Sequence, residues 1–269
     1  MDFILKRGQR VRISLDERES EAVKIAAENL MTDLEKVLNA KCALDTKCAL
    51  DTKYTMDTRC TMDTKCTLDT KDFASTGIVW KERLAQETEA GETEGRKAQE
   101  NGKNENKQKI CQIRIASAEF LKEAVGADGK TDMAAAAVGM ALQETSGVLY
   151  KEGYTIQVHD GILYLSGSDR RGTIYAIYEF CEMLGVSPWY FWADVPVYQK
   201  EEYRLEEGFC KADHPVVEYR GIFINDEEEL DHWVKLHMGE ETIGVKTYEK
   251  VFELLLRLKA NYIWPAMHV

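Results

Sequence analysis

The C-terminal part of the chain holds two apolar segments separated by an amphipathic helix, and this arrangement restricts the possible folds most strongly. The first segment, residues 217–224, is predicted to be a buried strand that ends at Asn225. A helix with Thr247 as its cap is predicted over residues 248–259, and a second strand lies in residues 261–267. Two strands joined by one helical crossover form a βαβ unit, the smallest piece of a parallel sheet or barrel.

Strands and helices also alternate through the earlier part of the chain. Residues 11–16 alternate apolar and polar side chains, as a half-buried strand does, and the same alternation returns at residues 111–115. Residues 154–165 predict a hairpin with an Asp-Gly pair at its turn, and a helix is expected at residues 173–184. This alternation predicts a small α/β domain.

Residues 41–70 interrupt this pattern with five tandem hexads: KCALDT, KCALDT, KYTMDT, RCTMDT and KCTLDT. Two structured interpretations are a parallel β-helix and a metal site built from the cysteines Cys42, Cys48, Cys60 and Cys66. Neither is favoured, because zinc sites use more closely spaced cysteine pairs and five hexads make fewer than two coils of a three-sided helix. Residues 81–109 are polar and almost free of large apolar side chains, which is typical of disorder. We therefore expect a low-complexity, disordered insertion over residues 41–109.

The charge balance and the cysteine content exclude some partners and indicate a compartment. The 35 basic and 47 acidic residues give a net charge of −12, which argues against nucleic acid and anionic membranes as partners. No apolar run approaches the roughly 20 residues of a membrane span, and the N-terminus lacks the apolar core of a signal peptide. With seven cysteines and no secretion signal, reduced thiols in the cytoplasm are expected.

Polar and aromatic side chains follow both strands of the βαβ unit. Asp226 and Glu227 come directly after the first strand, at the edge where parallel α/β folds bind ligands, and carboxylates there suit acid–base chemistry or sugar hydroxyls. The alternative is a polar loop whose acids favour a helix N-terminus. Trp264 and His268 follow the second strand, where an aromatic ring can stack on a sugar. A core tryptophan and a surface histidine are the alternative there.

The segment GSDRRGTIY, residues 167–175, is a glycine-flanked turn between a strand and a helix. It lacks the spacing of the nucleotide-binding glycine motifs, so an anion site is disfavoured. The simpler interpretation has Asp169 as a helix cap and either Arg170 or Arg171 as a bridge between two domains. The sequence also lacks G-x-S-x-G and H-E-x-x-H, so it offers no support for hydrolysis by a serine or zinc.

Three blocks of sequence carry a resemblance to a known family. These blocks are LSGSDRRGTIYAIYEFCEMLGVSPWYFWADVPV, YRGIFINDE and YEKVFELLLRLKANYIWPAM, in that order. Together they resemble glycoside hydrolase family 115, the xylan α-1,2-glucuronidases. The resemblance is close over residues 145–269 and loose over residues 10–40 and 110–144, whereas residues 41–109 have no counterpart in the family pattern.

The resemblance implies a fold, an activity and a set of binding residues. The fold is an α/β domain over residues 1–200 packed on a TIM (β/α)8 barrel that begins in residues 201–269. The family removes 4-O-methylglucuronic or glucuronic acid from xylan or glucuronoxylan oligosaccharides with inversion, uses no cofactor and tends to form homodimers, and no metal is expected. The substrate-binding residues implied are Asn225, Asp226 and Glu227 after the first barrel strand, Trp264 and His268 after the second, and Asp169 and Arg170 near the barrel mouth.

The chain departs from the family pattern in its extent. A complete barrel needs eight βα units and roughly 250 residues, whereas two strands and one helix are predicted here. We therefore expect an incomplete barrel, with the main catalytic acid and base downstream of Val269 and with no activity in this chain alone. The alternatives are a non-catalytic carbohydrate-binding or scaffold α/β module, and another barrel glycosidase of the hexosaminidase-like or family 67-like kind.

Overall fold

A computed structural model describes residues 1–46, 110–120, 149–225 and 227–267. Most of the predicted insertion, together with Asp226 and His268, lies outside the described residues. The helices and strands are, in chain order, β1 (Phe3–Lys6), β2 (Arg10–Leu15), α1 (Glu21–Leu38), β3 (Lys41–Asp45), β4 (Cys111–Ser117), β5 (Tyr154–His159), β6 (Ile162–Gly167), α2 (Arg170–Leu184), β7 (Glu202–Leu205), β8 (Cys210–Asp213), β9 (Gly221–Phe223), α3 (Glu227–His237), α4 (Val245–Arg257) and β10 (Tyr262–Trp264).

A six-stranded sheet with the order β3-β2-β4-β6-β5-β8 forms the centre of the fold. Its strands are parallel except for β5, which runs antiparallel to both β6 and β8. The predicted hairpin is confirmed as β5–β6, and both residues of its turn, Asp160 and Gly161, have positive φ angles of 52° and 72°. Two such residues in succession are what the turn of a two-residue hairpin requires.

The first hexad of the repeat is a strand of this sheet, so the prediction that the insertion begins at residue 41 was wrong. Lys41–Asp45 forms β3, which pairs in parallel with β2. Its residues alternate in burial, with Cys42 only 6% exposed in the core and Leu44 packed against that core. Because α1 crosses over between β2 and β3, the first hexad completes a βαβ unit rather than starting a loop.

Two helices and a small second sheet complete the main core. Helices α1 and α2 pack against each other, and α2 is buried along most of its length. The antiparallel pair β1–β7 places Phe3 and Tyr203 against Phe180 of α2, with ring centroids 6.4 Å and 5.8 Å from it. The helix predicted at residues 173–184 is therefore confirmed, and it ends at Gly185, whose φ of 103° favours glycine.

Strands β9 and β10 form a separate parallel pair, as the βαβ prediction requires. The first strand is shorter than the predicted range 217–224, and two helices, α3 and α4, connect the strands instead of one. A small second core of Ile224, Val251, Leu255 and Ala260 packs below the pair. The described residues thus contain a parallel βαβ unit, and the complete barrel stays a prediction.

Thr247 is not the cap of the helix that follows. Helix α4 begins at Val245, with Gly244 at the N-cap position, and Thr247 is buried inside its first turn. The Glu240 carboxylate accepts hydrogen bonds from the backbone N–H groups of Lys246 and Thr247, both at 3.0 Å, and from the Thr247 hydroxyl at 2.8 Å. A carboxylate from the preceding loop therefore satisfies two of the free N–H groups of this helix terminus.

The division into a domain of residues 1–200 and a domain of residues 201–269 stays a prediction. Two strands, β7 and β8, lie just after this boundary. Strand β7 pairs with β1, and β8 pairs with β5 at the edge of the central sheet. In the stretches that the structure describes, no helix has the length and apolar character needed to cross a membrane.

Candidate functional site

The carboxyl ends of β9 and β10 bring together residues that lie far apart in the sequence. The backbone N–H of Ile224 donates a 3.0 Å hydrogen bond to the carbonyl of Trp264. The rings of Phe223 and Trp264 lie 5.2 Å apart between centroids, tilted by 49°. Asn225 follows Ile224 directly and is exposed, just past the carboxyl end of β9, at the edge where parallel strands bind ligands.

Four exposed aromatic side chains form one face of this strand pair, which we call the aromatic face: Tyr219, Phe223, Tyr262 and Trp264. Phe223 is 47% exposed and Trp264 is 55% exposed. Tyr219 extends the row by an edge contact to Tyr262, with centroids 6.2 Å apart. Ile263, between the two aromatic residues of β10, packs instead against the second core. The aromatic face is therefore an open apolar surface, which is typical of an interaction site.

Gly221 allows the two strands of the aromatic face to approach closely. A Cβ atom at this position would lie 1.8 Å from the carbonyl oxygen of Tyr262 and 2.9 Å from its Cβ. No side chain fits at these distances, because the Tyr262 atoms belong to the paired strand itself. The glycine in the segment YRGIFIN thus has a packing role that the sequence did not reveal.

The loop after β10 is held by helix α4. The Tyr248 hydroxyl accepts a 3.2 Å hydrogen bond from the backbone N–H of Ala266. Tyr248 also packs against the second core and contacts Phe252 at 5.8 Å between ring centroids. These contacts fix the chain after Trp264, which limits the conformations that its ring can adopt.

A buried polar group joins the other ends of the same two strands, and we call it the Glu152 cluster: Glu152, Arg171, Arg220 and Asn261. Glu152 is 3% exposed and accepts hydrogen bonds from Arg220 at 2.5 Å, Arg171 at 2.6 Å and Asn261 at 3.0 Å and 3.1 Å. Arg220 precedes β9, Asn261 precedes β10 and Arg171 belongs to α2. The cluster therefore ties the strand pair to the main core.

The charge of Glu152 depends on these partners. Burial of this carboxyl raises its pKa, but hydrogen bonds from Arg220 and Asn261 and the charges of both arginines outweigh burial, so the pKa of Glu152 is lowered from its usual value. The carboxylate is consequently ionised at neutral pH. Because its acceptor sites are taken by these partners, the cluster serves to hold structure rather than to bind a ligand.

Asp169 and Arg170 do not lie with the aromatic face. Both oxygens of Asp169 accept backbone hydrogen bonds, one from Gly172 and one from Glu152, each at 2.8 Å. The predicted helix cap is thus confirmed, and Asp169 lies beside the Glu152 cluster at the amino ends of β9 and β10. Arg170 is exposed, and Arg171 pairs with Glu152 within the same predicted domain, so the predicted bridge between two domains stays a prediction.

The aromatic-rich connection of residues 186–197 packs against helix α3. Trp192 stacks on Trp233 at 5.0 Å between ring centroids and donates a 3.2 Å hydrogen bond to the carbonyl of Lys250. Trp233 in turn stacks on His237 at 4.5 Å. These contacts fix the helix that begins directly after the candidate site.

One possible metal-ligand group occurs within the described ranges. Atoms of His159, Asp160 and Glu207 lie within 4.8 Å of one another near the β5–β6 turn. However, Glu207 forms a 2.6 Å ion pair with the N-terminal amino group and accepts a 3.0 Å hydrogen bond from the Asp160 backbone. This carboxylate already has its partners, so we assign no metal to the group.

Comparison with known proteins supports a carbohydrate-active chain. The family model described as Glycosyl hydrolase family 115 matches residues 212–269. The chain is similar to the solved structure of BtGH115A, a family GH115 4-O-methyl-alpha-glucuronidase with specificity for decorated arabinogalactans, at 31% identity and a TM-score of 0.63. That alignment covers 99% of this chain and 26% of BtGH115A. A second structure, CpGH84D, aligns at 10% identity and a TM-score of 0.42 over 97% of this chain and 34% of CpGH84D. No curated protein matches the chain.

Proposed function

The chain belongs to glycoside hydrolase family 115, and we propose that it forms part of the sugar-binding wall of an α-glucuronidase. The chain spans 26% of the length of BtGH115A. The glucuronidase activity of a whole enzyme is therefore itself a proposal for this chain. The observation that carries the proposal is the position of the aromatic face. Its exposed rings Phe223 and Trp264 lie at the carboxyl ends of two parallel strands, where barrel enzymes bind their substrates, and Asn225 follows the first of these strands.

In this proposal the sugar is bound by both apolar and polar contacts. Trp264 and Phe223 offer exposed ring faces on which a pyranose ring can stack. Asn225, Asp226 and Glu227 follow β9 and supply amide and carboxylate groups to sugar hydroxyls, and His268 donates from the segment after β10. In this proposal Asp169 and Arg170 support the fold from the opposite strand ends, rather than contacting the sugar.

Hydrolysis with inversion places a further demand on the carboxyl groups. The acid and the base stand about 6.5–9.5 Å apart, with room for a water molecule between the base and the sugar. Asp226 and Glu227 are neighbours in the sequence and do not readily flank a substrate in this way. We therefore assign them to binding, with the acid–base pair supplied from elsewhere in the enzyme.

The substrate that we propose is a side-chain glucuronic acid, or its 4-O-methyl ether, on xylan. The decorated arabinogalactans named for BtGH115A are a different polysaccharide that a family GH115 glucuronidase recognises. Both polysaccharides would be recognised through a glucuronic acid side chain. Which polysaccharide backbone this chain recognises is the question to test.

Binding measurements on the chain test the role of the aromatic face. Calorimetric titration with a glucuronoxylan oligosaccharide is expected to show binding that Trp264→Ala weakens at least tenfold. Trp189→Ala removes another exposed indole, which lies outside the aromatic face, and is expected to leave binding unchanged. Equal affinity of the parent and Trp264→Ala would contradict the proposed sugar-stacking role.

Two comparisons separate the alternatives. Undecorated xylo-oligosaccharides and arabinogalactan oligosaccharides with the same uronic acid show whether the acid or the backbone is recognised. We expect no release of glucuronic acid by the chain alone, because two adjacent residues of the sequence do not supply the separated acid and base that inversion needs. Turnover would assign a catalytic role to Asp226 and Glu227, and binding without a requirement for uronic acid would favour a general carbohydrate-binding module.

A further inference from the structure

Strand β3 lies at the edge of the central sheet and is made by the first copy of a tandem repeat. Its neighbour is β2, and the register places Val11 opposite Cys42 and Ile13 opposite Leu44. Cys42 and Leu44 face the core, whereas Lys41 and Ala43 are exposed. Whether another segment can take the place of β3 therefore depends mainly on its two inward side chains.

The second hexad, residues 47–52, repeats the sequence of residues 41–46 without change. A strand that shifts by an odd number of residues turns its inward side chains outward, but the repeat length of six is even. After a shift by one hexad, Cys48 and Leu50 take the inward positions of Cys42 and Leu44. The contacts with β2 and α1 are then made by identical side chains.

We propose that β3 is exchangeable: the second hexad can replace the first as the edge strand of the central sheet, by a slip of one repeat. The connection from α1, now Asn39 and Ala40, grows from two to eight residues in the slipped form. Loop-closure entropy grows only slowly with loop length, so the longer connection disfavours the slipped form modestly. The slipped form is therefore the minor of two exchanging forms.

The other copies fit this position to different degrees. The third hexad places Tyr54 where Cys42 is buried, and a ring of that size overpacks a cysteine site. The fifth hexad, KCTLDT, differs from the first only at the exposed position of Ala43, so it fits the sheet but requires a much longer connection. The second hexad is consequently the strongest competitor of the first.

Slippage exchanges the environments of two thiols, which makes it measurable. Burial raises the pKa of the Cys42 thiol to about 12, so this thiol resists alkylation near neutral pH while it lies in the sheet. In the slipped form Cys42 is released and Cys48 takes its place. Cys111 and Cys181 are buried elsewhere in the same core and report whether the domain is folded.

The experiment follows alkylation by iodoacetamide with tryptic peptide mass spectrometry. The first two hexads yield the same peptide, so Ala43→Ser, at an exposed position, is introduced as a mass tag. Deletion of residues 47–52 removes the competitor and is expected to slow alkylation of Cys42 severalfold. Deletion of residues 53–58, the same length without a fitting hexad, is the matched control and is expected to leave that rate unchanged.

A second variant forces the exchange. The double substitution Cys42→Asp and Leu44→Asp ejects the first hexad, and we expect Cys48 to become protected at least fivefold relative to the tagged parent, while Cys111 stays protected. Alkylation of Cys48 at the rate of a free peptide would overturn the proposal, whether or not Cys111 stays protected. Equal rates for Cys42 in the two deletion variants would overturn it as well.

Discussion

A fully buried ion pair between Asp33 of α1 and Arg257 of α4 connects the main core to the βαβ unit. The carboxylate and the guanidinium lie 2.8 Å apart, and their side chains are 1% and 2% exposed. Arg257 also pairs with Glu253 at 2.8 Å and lies over the rings of Tyr178 and Tyr190. We therefore expect Asp33→Asn to destabilise the whole described fold, because it leaves a buried cation with one carboxylate instead of two.

The magnitude follows from the remaining partner. Removal of one member of a buried ion pair costs about 3–5 kcal/mol of unfolding free energy. Because Glu253 still compensates Arg257, we expect the lower end of this range, about 3 kcal/mol. At an m-value of about 2–3 kcal/mol per molar urea, the unfolding midpoint falls by about 1–1.5 M.

The assay is urea unfolding followed by tryptophan fluorescence, with an exposed ion pair as the control. Arg7 and Glu201 lie 2.7 Å apart at the surface, where their side chains are 43% and 81% exposed. Glu201→Gln is expected to cost at most about 1 kcal/mol. A midpoint for Asp33→Asn equal to that of Glu201→Gln would refute the reasoning.

Three further outcomes are expected. The lowered pKa of Glu152 stabilises the fold above its unfolded value near 4.5, and this contribution is lost as pH falls through the lower folded pKa. Urea midpoints should therefore drop below about pH 4.5 in the parent, and Glu152→Gln should abolish this component of the pH dependence. Gly221→Ala is expected to separate β9 from β10, because its Cβ would lie 1.8 Å from the Tyr262 carbonyl oxygen, and an increased exposure of the aromatic face to a fluorescent dye would show it. Native alkylation should modify the exposed Cys210 and spare Cys181, whose pKa burial raises well above its usual value.

Local patterns in the sequence determined much of the architecture. The alternation of Val11, Ile13 and Leu15 predicts a strand whose three residues are buried in the central sheet. The Asp-Gly turn of the hairpin and the glycine after α2 adopt the positive φ angles that such positions require. The motif blocks likewise indicate the family that the comparisons show. These features depend on neighbours in the chain, which is why sequence periodicity reveals them.

Contacts between distant residues were decided by the tertiary structure alone. Asp33 and Arg257 are 224 residues apart, and Glu152 meets Arg220 and Asn261 across 68 and 109 residues, so no local period records these pairs. The same reason explains why the first hexad was assigned to an insertion: its composition resembles the repeat, but its burial is set by pairing with β2. Sequence thus predicted β2, the β5–β6 hairpin and α2, whereas packing decided that the first hexad is a strand and which charges are buried together.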